Sequence, residues 1–77
     1  MYENERSKIM QFGDISEAGM YSIVEVSNSN GKFTGLGILP GNTVEVVRVT
    51  KHLIHFRIHL TDMFARRNDI DMRVSTL

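Results

Sequence analysis

The sequence predicts an all-β domain, folded as a small five-stranded barrel with one short helical turn. Three observations carry this. Ile54, Phe56, Ile58 and Leu60 alternate with His55, Arg57, His59 and Thr61, the signature of a half-buried strand. Other short β-type runs are separated by turn residues at close spacing, which is the pattern of a sandwich or barrel. The stretch Gly35-Leu36-Gly37-Ile38-Leu39-Pro40-Gly41 leads directly into the valine-rich run Thr43–Thr50. It reads as a tight bend that launches a strand.

Seventy-seven residues, 42% apolar and 23% charged, describe one small globular domain. Residues 1–11 read as a flexible N-terminal tail and 12–77 as the folded domain. Phe12 and Ile15 flank Gly13-Asp14 and are placed to cover one end of a barrel. Glu17-Ala18-Gly19 is a turn. Met20–Ser27 follows as a strand, with Val24 and Val26 on one parity and Tyr21 and Ile23 on the other. Asn28-Ser29-Asn30-Gly31 is a loop, and Lys32–Leu36 is long enough for one helical turn packed on the sheet.

Pro40 sets its own φ and Gly41 accepts a positive one, so together they suit the centre of a type II turn. Gly35 and Gly37 permit close backbone approach between apolar anchors. In Thr43–Thr50 the valines occupy both parities, so either both faces are buried or a β-bulge changes the phase. Lys51-His52-Leu53 is a turn without glycine or proline. Ile54–Thr61 is the plainest strand, Asp62–Ala65 continues into another, and Arg66–Asp69 is a 3₁₀ or β-turn. Ile70–Val74 closes the fold with Ile70, Met72 and Val74 inward, and Ser75–Leu77 frays. At this length a five-stranded SH3-like barrel is the natural closure, since closure also covers strand edges.

Lys+Arg and Asp+Glu are nine each. Zero net charge argues against nucleic-acid binding, which needs a basic footprint. No cysteine is present, so there is neither a disulfide framework nor a thiolate metal site, as fits a reducing cytosol. No apolar run reaches the length of a membrane helix, and direct membrane insertion is not expected. His55 and His59 share a strand face but lie roughly 13 Å apart at ordinary strand rise. His52, three residues from His55, faces the opposite way unless the turn rotates it. A tight metal site within one chain is therefore not expected, whereas a weak or intermolecular one stays open. No nucleophile elbow, phosphate-binding loop or dinucleotide fingerprint occurs, and no catalytic residue or cofactor is assigned.

The run Leu36-Gly37-Ile38-x-Pro40-Gly41-x-x-Val44-x-Val46 resembles the central motif of the FeoA family. Where that family usually carries an Arg-Leu pair, this chain reads Lys32-Phe33-Thr34-Gly35. The resemblance extends from about Phe12 to Val74. It implies an SH3-like fold and a non-catalytic, cytosolic accessory role in bacterial ferrous iron uptake, with a FeoB-type membrane GTPase transporter as partner. The alternative is a regulatory or metal-sensing module related to the C-terminal domain of iron- and manganese-dependent repressors. A weak homo-oligomer is left open. Candidate partner-binding residues are Lys32, Phe33 and Leu36 in the segment from Asn30 to Leu39, and the Arg66-Arg67 pair, near Arg57 and Arg73. Gly35, Gly37, Pro40 and Gly41 are the structural turn.

Overall fold

Alternation of apolar and polar residues becomes, in the computed structural model of this chain, one antiparallel sheet with six strands among the described residues. The structure describes residues 9–27 and 37–77. The strands are β1 (Ile9–Gln11), β2 (Gly19–Val26), β3 (Thr43–Val49), β4 (Leu53–Ile58), β5 (Thr61–Arg66) and β6 (Met72–Thr76). Their spatial order is β1-β6-β2-β3-β4-β5. A 3₁₀ turn, Phe12–Asp14, follows β1.

Among the described residues the expected five strands become six through one added strand, and a turn moves the boundary between two of the others. Ile9–Gln11, read as the end of a tail, pairs with β6 from Ile9↔Ser75 to Gln11↔Arg73. That pairing and the β2 partners Tyr21↔Thr76 and Ser22↔Ser75 also hold Ser75 and Thr76, which were expected to fray. The run Ile54–Thr61 does not continue as one strand. It turns at His59-Leu60, where φ is 52° and 69°, and Thr61 lies opposite Ile58. A two-residue loop with both φ positive is the type I′ geometry, which matches the twist of the flanking strands. The helical turn expected at Lys32–Leu36 lies outside the described residues, as does the tail over 1–8.

The core lies on one face of the sheet. Phe12, Ile15, Ile23, Val44, Ile54, Phe56, Ile58, Met72 and Val74 are buried there with Ile38 and Val46. Phe12 meets Phe56 edge to face, with centroids 5.1 Å apart at 80°, a favoured aromatic geometry. Two bulges reconcile the mixed valine parities. The β2–β6 register shifts between Ile23 and Glu25, so Val24 is exposed while Val26 packs on the core with Ile23. The β3–β4 register shifts between Val46 and Arg48. Val47 is the extra residue, and Val49 returns to the inner face opposite Ile54. A bulge adds one residue and so flips the period-two phase.

The Pro40-Gly41 turn takes the expected form. Asn42 N–H donates to Leu39 O at 3.1 Å, and Gly41 has φ 96°, the type II arrangement. It docks on β2: Gly41 N–H donates to Ile23 O at 2.8 Å, and Ile23 N–H to Asn42 O at 2.9 Å. The Asn42 side chain donates to Gly37 O at 2.8 Å. The β3–β4 turn lacks glycine and proline, and the Thr50 hydroxyl supplies what they would. It accepts from Leu53 N–H at 3.0 Å and donates to Leu53 O at 3.2 Å. The β5–β6 turn closes with Asp69 N–H on Arg66 O at 3.0 Å.

Candidate functional site

The β4–β5 register decides which side chains leave the core. Ile54, Phe56 and Ile58 face inward, so Leu53, His55 and Arg57 face out. Their cross-strand partners on β5 are Arg66, Phe64 and Asp62. Directly opposed residues share a face and interact as pairs. The outer face therefore carries three rows.

The first row is ionic. Arg57 Nε donates to Asp62 Oδ1 at 2.9 Å, and Arg57 Nη1 lies 3.8 Å from Glu45 Oε1. His55 Nε2 lies 3.2 Å from the same Asp62 Oδ1. The hydrogen bonds from Arg57 and then His55 hold the Asp62 carboxyl below its usual range. The bond to Asp62 likewise raises Arg57. These groups are solvated, so the row fixes geometry more than it adds stability.

The second row is aromatic. His55 and Phe64 stack with centroids 4.3 Å apart and planes 18° from parallel. Arg48 lies across from His55 on β3. Phe64 is 68% exposed, whereas the other described phenylalanine and tyrosine side chains, Phe12, Tyr21 and Phe56, are buried. Arg48, Thr50, Leu53, His55 and Phe64 surround a hollow of about 120 Å³. Ligand pockets usually run to roughly 300–1,000 Å³, so this hollow fits one side chain rather than a cofactor. The third row is Leu53 opposite Arg66, both exposed.

The two arginines expected to act as a pair do different things. Arg66 is exposed on the outer face. Arg67 turns inward and laces the fold. Its Nη1 donates to Gly13 O and Ile15 O, each at 2.8 Å. Nη2 donates to Thr50 O at 2.8 Å and Nε to Lys51 O at 3.0 Å. One guanidinium thus joins the 3₁₀ turn to the β3–β4 turn. Around it lies an open cleft of about 840 Å³, whose mouth mixes Lys51 and Arg66 with Asp14 and Asp69 and so has no dominant sign.

Of the remaining sequence candidates, Lys32, Phe33, Gly35 and Leu36 lie outside the described residues. Gly37 has φ 90° and sits under His59, whose Cδ2 would be 3.0 Å from a Cβ placed there. Pro40 is exposed in its turn. His59 is in the hairpin loop rather than on the strand face with His55, so the two histidines do not line one face as the uninterrupted strand implied. Among the described residues, no group of three or more His, Asp or Glu side chains is placed to hold a metal ion. No helix among them is long and apolar enough to cross a membrane. Sequence reasoning passed over Phe64. Its parity was readable only once the loop at His59-Leu60 was known.

No family model, curated protein or solved structure matches this chain.

Proposed function

We propose that this chain is a non-catalytic docking domain of the SH3-like barrel type, acting in the cytosol as an accessory of a FeoB-type ferrous iron transporter. The observation that carries docking is Phe64, which stands exposed on the sheet's outer face, stacked on His55 and beside Leu53 and Arg48. Aromatic and arginine side chains are among those that anchor interfaces. The barrel reading is supported by Arg67, which bridges segments at opposite parts of the open sheet. The choice of partner is supported by the FeoA-like run Leu36–Val47, in which Gly37 and Gly41 have the positive φ that such a glycine pattern serves.

Titration calorimetry against the cytosolic GTPase part of such a transporter tests the reading. Phe64→Ala is expected to weaken binding about 30-fold, the equivalent of roughly 2 kcal/mol at a hot spot, with the melting temperature nearly unchanged. Equal affinity for the wild type and Phe64→Ala overturns this placement of the docking face.

A further inference from the structure

Among the described residues β5 ends the sheet, and its pairing with β4 determines which of its backbone groups no described strand meets. Arg67 N–H donates to His52 O at 3.1 Å, and the register runs without a shift from Leu53↔Arg66 to Ile58↔Thr61. In an antiparallel ladder, alternate residues turn their N–H and C=O toward the neighbouring strand and away from it. Arg67 faces β4, so Ala65, Met63 and Thr61 do too. Asp62, Phe64 and Arg66 therefore present their backbone groups to the edge that no described strand covers. The Arg66 carbonyl already accepts from Asp69. The side chains of the same three residues lie on the outer face, whereas Met63 and Ala65 pack against the core.

Edge strands are normally blunted by shortness, charged side chains, proline or a bulge. Thr-Asp-Met-Phe-Ala-Arg has no proline and no bulge against β4, and only its two charges could serve. Its charges are instead placed symmetrically, with Asp62 two residues before Phe64 and Arg66 two residues after. An antiparallel copy with its two-fold axis at Phe64 sets Phe64 against Phe64, Asp62 against Arg66 on both sides, and Met63 against Ala65. Every pair keeps outward residues opposite outward ones, and inward opposite inward. Moving the axis to Met63 also preserves the faces, but it sets Asp62 against Phe64 and removes both charge pairs.

We propose that β5 pairs with β5 of a second copy of this chain, antiparallel about Phe64, to form a two-fold dimer with one continuous sheet. Phe64 exchanges two backbone hydrogen bonds with its counterpart, and each Arg66 N–H donates to an Asp62 carbonyl. Asp62 uses Oδ1 for both Arg57 and His55, which leaves Oδ2 for the second copy's Arg66. Met63 and Ala65 extend the core across the seam. A single edge strand buries less than the roughly 1,200–2,000 Å² of a standard interface, so the dimer dissociates on dilution. The inference goes beyond the docking proposal. Both use Phe64, so dimer and transporter compete for it, and the chain studied alone reads the dimer without the transporter.

Sedimentation of the full chain over roughly 1–500 μM tests it. The wild type is expected to shift from monomer to dimer across that range. Arg66→Glu alone and Asp62→Arg alone place like charges opposite each other on both sides of the axis, and each is expected to remain monomeric. An equimolar mixture of these two variants gives opposite charges at both positions and is expected to dimerise. Phe64→Pro removes an N–H that faces away from β4, and is expected to be folded and monomeric. A wild type that stays monomeric throughout overturns the dimer. A wild-type dimer with no dimer in the mixture overturns the register.

Discussion

Arg67→Met replaces the guanidinium with an apolar chain of similar length that cannot donate. Four acceptors lose a partner, but not equally. The carbonyls of Thr50 and Lys51 are at the surface and rehydrate at little cost. Those of Gly13 and Ile15 are partly buried. Leaving a shielded acceptor unpaired costs about 1–3 kcal/mol. Two such groups, each partly reached by water, give about 2–4 kcal/mol. A 77-residue domain has roughly 4–12 kcal/mol in total, so a large share of the stability passes through one side chain. The expected fall in melting temperature is about 10–25 °C. Arg67→Lys concentrates its donors on one ammonium and cannot span carbonyls of two turns, so it should recover less than half of the loss. Arg66→Met is the control, because Arg66 is exposed and should shift stability by less than about 0.5 kcal/mol. Urea unfolding of the three variants decides the matter. An unchanged midpoint for Arg67→Met, or equal losses for Arg66→Met and Arg67→Met, would refute the clamp.

Gly41→Val is expected to lower stability by about 1–2 kcal/mol. A Cβ there meets nothing within 4 Å, so the cost is that of holding a branched residue at φ 96°, and equal urea midpoints would contradict it. Leu60→Gly is expected to stabilise by about 0.5–1 kcal/mol, since Leu60 has φ 69° and is 92% exposed; a lowered midpoint would show that Leu60 makes a contact the fold needs. Asp62 is held below the usual carboxylate range by Arg57 and His55. Its contribution is present above that range and is lost as pH falls through the ordinary and then the lowered pKa. The stability gap between the wild type and Asp62→Asn should therefore narrow on going from about pH 7 to about pH 3, and a gap that widens would reverse the assignment.

Local patterns made much of the fold legible. The alternation in Ile54–Ile58 and the Pro40-Gly41 turn need only neighbours in sequence to be read. Valines on both parities in Thr43–Thr50 left two readings, two buried faces or a bulge, and the structure takes the second at Val47. What stayed hidden depends on distant partners. Nothing near Arg67 in sequence announces Gly13 and Ile15, more than fifty residues away, so it read as half of a surface pair. Ile9–Gln11 is a strand because β6 offers it an edge, not because three residues have a pattern. The loop at His59-Leu60 was invisible for another reason. Neither residue is a favoured former of a type I′ turn, and the apolar alternation runs straight through Leu60.

That concealed loop decides what the outer face is. With two residues between Ile58 and Thr61, the register sends Asp62, Phe64 and Arg66 outward. A one-residue slip would turn them inward and bring Met63 and Ala65 to the surface. Phe64 is thus exposed because of the length of a turn, not because of the composition around it. Two local costs accompany that choice: residues with side chains at positive φ in the loop, and a phenylalanine in water. A loop of the same length with asparagine and glycine would avoid the first cost and keep the register. The second cost is inseparable from the register and vanishes only when something covers Phe64. Covering it requires a surface that accepts an aromatic ring flanked by one acid and one base, each two residues away. β5 itself, turned about Phe64, has that form.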